Sequence, residues 1–71
     1  MSEDIVAPLA GKIIAINIEA GQKVEEDEEI FIIEAMKMET SIYAPCDGTI
    51  KAIKVKKGDS VEEDAILGTI E

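Results

Sequence analysis

Few residues of this chain could carry chemistry, and Lys37 is the most prominent of them. It stands between two methionines in the run from Glu34 to Thr40, EAMKMET. Methionine usually fills buried space, so two of them beside a lysine in a polar connector have no evident packing purpose. The other interpretation of this tripeptide is an ordinary solvated lysine whose methionine neighbours fold back onto the core.

The residues that most enzymes use for catalysis are scarce in this sequence. It has no histidine and one cysteine, Cys46, which leaves no pairing of a nucleophile with a general base and no set of zinc ligands. We therefore predict that the protein takes part in chemistry without making or breaking bonds itself. A shift of 37 positions along the sequence carries Leu9 onto Cys46, which predicts a structural role for Cys46 in apolar surroundings.

Charge and hydrophobicity exclude two classes of partner. The formal net charge is -9 at pH 7 and no basic run is longer than Lys56-Lys57, which argues against nucleic acid as a partner. Apolar runs such as Ile30 to Ile33 are far shorter than the roughly 20 residues that span a bilayer, so the chain is not expected to be an integral membrane protein. A lone cysteine and an N-terminus without signal-peptide features predict a cytoplasmic protein.

The chain repeats itself once, because a shift of 37 positions carries Ala7 onto Ala44 and aligns the two halves without a gap. The identities include glycine and proline residues, which shared composition alone rarely aligns in one register. They are Ala7-Pro8 with Ala44-Pro45, Gly11 with Gly48, Ile13 with Ile50, Ala15-Ile16 with Ala52-Ile53, Gly21 with Gly58, Val24 to Asp27 with Val61 to Asp64, and Ile33-Glu34 with Ile70-Glu71. We predict two equivalent halves within one domain of residues 1–71.

Each half contains four short segments rich in β-branched residues, which predicts an all-β protein. The predicted strands are Asp4–Ala7, Gly11–Ile18, Lys23–Val24 and Glu29–Glu34, followed by Thr40–Ala44, Gly48–Val55, Ser60–Val61 and Ala65–Ile70. Two equivalent four-stranded sheets around one aliphatic core satisfy this pattern. Gly21 and Gly58 stand at sharp turns that favour positive φ, and the acidic runs Glu25 to Glu29 and Glu62 to Asp64 are predicted to be solvated turns.

The long strands have an apolar face that changes sides midway. Ile13 and Ala15 lie on one face of the first, whereas Ile16 and Ile18 lie on the other. This change predicts a bulge or bend that lets one strand serve two sheets, the alternative being a strand buried on both faces. The connector from Ala35 to Thr40 then joins two strands as an exposed tight turn with Lys37 at or near its tip.

The run EAMKMET resembles the biotin attachment motif of biotin carboxyl carrier proteins, the biotinyl domains of biotin-dependent carboxylases, decarboxylases and transcarboxylases. The resemblance covers Ile5 to Glu71 and includes the repeat and the Ala-Pro and Gly residues that open each half. It implies a flattened β-barrel, a barrel-sandwich hybrid of two four-stranded antiparallel sheets with quasi-two-fold symmetry. It also implies that Lys37 carries covalent biotin in the hairpin between the fourth and fifth strands.

The same resemblance assigns roles to the neighbours of Lys37 and to partners. Met36 and Met38 match the flanking recognition residues of the family, and Ala35 and Glu34 complete the cofactor-binding motif. A biotin protein ligase would attach biotin, since lysine amines are mostly protonated at neutral pH and do not acylate themselves. The carrier would then shuttle carboxybiotin from a biotin carboxylase to a carboxyltransferase acting on an acyl-CoA or keto acid.

Two other functions are compatible with the same fold. Lipoyl carrier domains resemble biotinyl domains, but their hairpin typically reads Asp-Lys-Ala, whereas both neighbours of Lys37 are methionine. Unmodified barrel-sandwich modules with a structural role resemble them too, but lack a lysine at the hairpin tip. We expect Met36 and Met38 to serve partner recognition rather than stability, because exposed apolar side chains at a turn need a partner to cover them.

Overall fold

Eight short strands form the framework of residues 2–71, the part of the chain that this computed structural model describes. Their bounds are β1 (Glu3–Val6), β2 (Gly11–Ile16), β3 (Lys23–Val24), β4 (Glu29–Ala35), β5 (Met38–Tyr43), β6 (Gly48–Ile53), β7 (Ser60–Val61) and β8 (Ile66–Ile70). No helix occurs within these residues, so none could span a membrane. The β-branched residues that dominate the segments favour this extended backbone, and the all-β prediction is confirmed.

The strands form two four-stranded sheets, with orders β1-β8-β6-β3 and β5-β4-β2-β7, and every pairing is antiparallel. The 37-residue shift relates β1 to β5, β8 to β4, β6 to β2 and β3 to β7, so it converts the first strand order into the second. The predicted repeat is therefore a structural one. Strand pairing does not close the barrel among residues 2–71, since β1 and β3 are edges of one sheet and β5 and β7 of the other, which leaves a flattened barrel.

The core lies between the two sheets and is almost entirely aliphatic. Its members are Ile5, Ala7, Ile13, Ile18, Val24, Ile30, Phe31, Ile33, Ile42, Ala44, Ile50, Leu67 and Ile70. Most form equivalent pairs under the shift, as Ile13 does with Ile50. Ile18 and Val24 fall on half-buried valines, and Phe31 falls on Gly68, where an added Cβ would lie 2.6 Å from the carbonyl oxygen of Ala52. No polar side chain of residues 2–71 is buried, so burial here is hydrophobic throughout.

Each long strand contains the predicted bulge. The register of β2 against β4 shifts between Ile13 and Ala15, and that of β6 against β8 shifts between Ile50 and Ala52. An extra residue on one strand turns the following side chains to the other face, which explains the change of apolar face. The prediction that one strand serves two sheets was wrong, because β2 pairs only with β4 and β7, and β6 only with β3 and β8.

The glycine turns are also as predicted. Gly21 has φ of 90° and Gly58 has φ of 97°, each inside a turn closed by a backbone hydrogen bond. The N–H of Gln22 donates to the carbonyl of Glu19, and the N–H of Asp59 donates to that of Lys56. Glycine has no Cβ to oppose this left-handed backbone. The two acidic runs are exposed and include turns, which confirms their assignment.

Some strand ends differ from the predicted ones. The long strands end at Ile16 and Ile53, two residues early, because the chain must leave the ladder to reach the glycine turns that follow. At the central hairpin the opposite happens. Ala35 still belongs to β4 and β5 already begins at Met38, so the connector is shorter than the predicted Ala35 to Thr40.

The first prediction contrasts the two aromatic residues. Phe31 is fully buried, whereas Tyr43 is 55% exposed. We expect Phe31→Ala to lower the free energy of unfolding by about 3–5 kcal/mol, because it removes buried surface and leaves a cavity. Tyr43→Ala is the matched control and should cost less than about 1 kcal/mol. Urea unfolding followed by far-ultraviolet circular dichroism measures both, and equal losses would contradict this description of the core.

Candidate functional site

The hairpin between β4 and β5 closes in two residues, Met36 and Lys37. Ala35 and Met38 are paired across the base of this turn. Met36 has φ of 53° and Lys37 has φ of 65°, so both central residues are left-handed. Positive φ at both positions is the pattern of a type I′ turn, whose twist matches that of the flanking strands. This geometry explains why pairing begins sooner than predicted.

The composition of this turn is unfavourable for its conformation. Type I′ turns strongly prefer Asn-Gly, Asp-Gly or Gly-Gly, and here the two positions hold methionine and lysine. A side chain in the left-handed region costs about 1 kcal/mol or more per residue. Elsewhere in residues 2–71 only Asp27 and Asp64 combine positive φ with a side chain, and aspartate tolerates that region. Met36 and Lys37 therefore hold a strained backbone, of the kind that concentrates at functional sites.

The side chains of the hairpin tip point into solvent. Met36 is 93% exposed, Met38 is 69% exposed, and Lys37 is exposed between them. Within residues 2–71 the Lys37 side chain makes no hydrogen bond and no ion pair. The methionines do not fold back onto the core, which removes that interpretation. The tip presents a free primary amine flanked by two accessible apolar side chains.

Carboxylates stand next to this amine. Glu34 on β4 and Glu39 on β5 are register partners and both are exposed, so two negative charges face each other one step from the turn. Like charges directly opposite in a sheet are destabilising. Lys12 of β2 is the register partner of Glu34 on its other side and offers partial compensation. Ala35 is half-buried and completes the strand that leads to the turn.

Sequence reasoning missed one feature of the hairpin, a side-chain network near its base. The Glu29 carboxylate accepts hydrogen bonds from Asn17 Nδ2 at 3.3 Å and from Ser41 Oγ at 2.5 Å. Each partner is 12 residues away from Glu29 along the chain, a separation that carries no local motif. Finding this network from the sequence would have required the registers of β4 against both β2 and β5, which the sequence does not give.

Cys46, the remaining candidate for chemistry, is half-buried and packs against the core cluster. This position agrees with the predicted structural role. No group of three or more His, Cys, Asp or Glu residues in the described part of the chain is arranged to hold a metal ion. Lys37 is thus the candidate functional side chain.

The tip fits covalent acylation by a carboxylic acid. Acylation of Lys37 Nζ would break no hydrogen bond or ion pair within residues 2–71, and the exposed turn leaves room for a long acyl chain. The exposure of the whole tip leaves the amine accessible to a modifying enzyme.

A comparison with protein families identifies the domain. Residues 3–70 match the model of the biotin/lipoyl family, whose description is "Biotin-requiring enzyme". The chain belongs to this family. The predicted resemblance to biotinyl domains is confirmed, and the family's description as biotin-requiring points to biotin as the cofactor.

Curated relatives of this biotin/lipoyl domain are subunits of decarboxylases. A segment of 41 residues is 44% identical to the methylmalonyl-CoA decarboxylase subunit gamma of Veillonella parvula, covering 58% of this chain and 32% of that protein. A segment of 41 residues is 45% identical to the glutaconyl-CoA decarboxylase subunit gamma of Acidaminococcus fermentans, covering 58% of this chain and 28% of that protein. The matches therefore span about a third of these relatives.

Solved structures with the same fold include carboxylases and a lipoyl domain. The urea carboxylase of Kluyveromyces lactis matches the whole chain with a TM-score of 0.93 and 30% identity over 6% of its own length. The lipoyl domain of the Azotobacter vinelandii 2-oxoglutarate dehydrogenase complex matches 96% of the chain and 94% of its own length, with a TM-score of 0.81 and 31% identity. The predicted fold is confirmed, and the fold is common to biotin and lipoate carriers.

The second prediction tests the strain in the turn. Met36→Gly should raise the free energy of unfolding by about 0.5–1 kcal/mol, because glycine adopts positive φ without steric cost. Gly58→Ala is the reciprocal variant, since φ is 97° there and a Cβ would meet no atom within 4 Å. It should lower stability by about 1 kcal/mol through backbone strain alone. Chemical denaturation of both variants gives these values, and destabilisation by Met36→Gly would show that the turn is not strained.

Proposed function

We propose that this protein is a biotin carboxyl carrier whose attachment site is Lys37. The observation that carries the proposal is the free amine of Lys37 at a two-residue turn, flanked by the exposed side chains of Met36 and Met38. The resemblance of the surrounding run EAMKMET to the biotin attachment motif supports biotin over lipoate. We also propose that residues 1–71 act as one carrier domain.

The chain supplies the nucleophile for its own modification but not the base. Lys37 Nζ attacks the carbonyl carbon of an activated biotinyl-adenylate, a C–N bond forms, adenylate leaves, and the amine proton passes to a base of the ligase. No carboxylate or hydroxyl of residues 2–71 accepts a hydrogen bond from Lys37, so deprotonation falls to the biotin protein ligase. The product amide is neutral, which removes one positive charge from the tip.

Biotin held on Lys37 would supply a ureido nitrogen that can take up and give up CO2. The protein holds the lysine stem at the end of a hairpin, so that stem and acyl chain together form one long tether. A tether of this kind raises the local concentration of its end group at each enzyme that the carrier visits. The carrier itself then needs no catalytic residue, in agreement with the absence of histidine from the sequence.

Partners of the carrier follow from the same proposal. A biotin carboxylase and a carboxyltransferase would both receive the hairpin tip, and the decarboxylase subunits among the relatives suggest a CoA thioester as the acyl substrate, with a keto acid as the alternative. Met36 and Met38 offer apolar surface that these enzymes and the ligase can cover. A single cysteine, which cannot form an intrachain disulfide, suits the cytoplasm.

The third prediction concerns the attachment site. Co-expression with a biotin protein ligase should add one biotinyl group to the protein, and Lys37→Arg should abolish it because a guanidinium does not form this amide. Lys12→Arg is the matched control, because it exchanges another exposed lysine of the same sheet, and it should be modified normally. Intact-mass spectrometry decides the result. A mass increase for lipoate, or continued biotinylation of Lys37→Arg, would contradict the proposal.

The fourth prediction separates recognition from stability at the flanking methionines. Met36→Ala and Met38→Ala should keep the unfolding free energy within about 1 kcal/mol of the parent, because neither side chain is buried. Their biotinylation or carboxyl transfer should slow about tenfold, corresponding to the loss of roughly 1.4 kcal/mol of partner contact. Unfolding midpoints and half-reaction rates are measured on the same samples. Normal rates combined with a large loss of stability would reverse this assignment.

A further inference from the structure

The network of Asn17, Glu29 and Ser41, hereafter the Glu29 network, connects three segments of the sheet that carries the hairpin. Asn17 directly follows β2, Glu29 begins β4, and Ser41 lies within β5. Both carboxylate oxygens of Glu29 are engaged, Oε1 by the Asn17 amide and Oε2 by the Ser41 hydroxyl. The backbone N–H of Asn17 also donates to the carbonyl of Ile30 at 2.9 Å. The edge strand β5 is thereby linked across β4 to the end of β2.

The equivalent positions in the other sheet have no such network. The 37-residue shift carries Asn17 onto Lys54 and Glu29 onto Ile66, while Ser41 falls on Asp4. Ile66 is 45% exposed, and within residues 2–71 no side-chain hydrogen bond joins these three residues. Because the two halves share one backbone arrangement, the fold itself does not require the Glu29 network. In the described part of the chain it is present only in the sheet whose hairpin presents Lys37.

The Glu29 network lies where the pairing of the hairpin strands is irregular. The register of β4 against β5 shifts between Glu29 and Phe31, so Ile30 is an extra residue on β4. A bulge leaves one residue unpaired and disrupts the ladder locally. At the other end of the hairpin, the strained turn and the opposed carboxylates of Glu34 and Glu39 both favour a longer, relaxed loop over the two-residue turn.

We propose that Asn17, Glu29 and Ser41 are positioning residues that hold the register of β4 against β5 and so keep Met36 and Lys37 as the central residues of the turn. This role rests on the proposed attachment of biotin to Lys37. A slip of one residue would move Lys37 off the centre of the turn and point its side chain to the other face of the hairpin. The Glu29 network opposes that slip at the bulge, where the ladder is weakest.

The proposal makes a prediction for hydrogen exchange in the unmodified protein. Ser41→Ala removes one hydrogen bond of the Glu29 network and Glu29→Ala removes both. We expect the amides of the β4–β5 hairpin to exchange about 3–10 times faster in these variants, while those of β1 and β8 keep their rates. Ser41→Thr retains the hydroxyl and should restore the slow exchange. Asp4→Ala, at the position equivalent to Ser41, is the matched control and should change neither region.

A second arm distinguishes positioning from simple loss of structure. Adding Met36→Gly to Glu29→Ala relieves the turn strain that drives the slip, so hairpin exchange should return to near the parent rate, although the Glu29 network is still absent. In biotinylation, Ser41→Ala should raise KM for the carrier about threefold and leave kcat unchanged, because only the fraction with the correct register is recognised. Ser41→Thr should return KM to the parent value.

Three results would overturn the proposal. The first is that the hairpin amides of Ser41→Ala and Glu29→Ala exchange at the parent rate. The second is that Asp4→Ala accelerates hairpin exchange as much as these variants do. The third is that adding Met36→Gly to Glu29→Ala does not slow hairpin exchange. The exchange experiments need no biotin. If the parent protein were not biotinylated, the proposed function would fail while the positioning result could still be obtained, so the two failures are distinguishable.

Discussion

The register of β4 is the constraint on which the rest of the structure depends. This strand pairs with β2 on one side and β5 on the other, and it contributes Ile30, Phe31 and Ile33 to the core. A slip of one residue would bring these side chains to the wrong face, at a cost of several buried apolar groups. The burial of β4 therefore holds this strand in place, and β2 and β5 are aligned against it.

The two halves of the molecule share a framework but differ in polar detail. Pairing, bulges and glycine turns repeat with the 37-residue shift, and most core positions repeat with them. Apart from Phe31, which falls on Gly68, the main differences lie on the surface, where the Glu29 network occurs in one sheet and an exposed isoleucine, Ile66, takes the place of Glu29 in the other. In a duplicated fold, such differences separate what the framework needs from what the function of one half needs.

The charged side chains of residues 2–71 lie entirely outside the core. The net charge is -9, and no charged or polar side chain of residues 2–71 is buried. The one ion pair of that part of the chain, Lys51 with Glu71, is exposed on both sides, where pairs of this kind contribute little to stability. Folding thus rests on aliphatic burial, and the surface charge is available for encounters with partners, which it can accelerate over long range.

The sequence by itself determined the strands, the repeat, the glycine turns and the bulges, because each rests on local backbone preference or on alternation of apolar residues. It also singled out Lys37 and its methionines, through residue types that suit no structural purpose. Tertiary structure alone decided that the turn comprises only Met36 and Lys37, with both in the left-handed region. It likewise brought Glu29 to Asn17 and Ser41. Neither could be predicted, since strand pairing across the sheet outweighs the turn preference of individual residues and joins side chains distant in the chain.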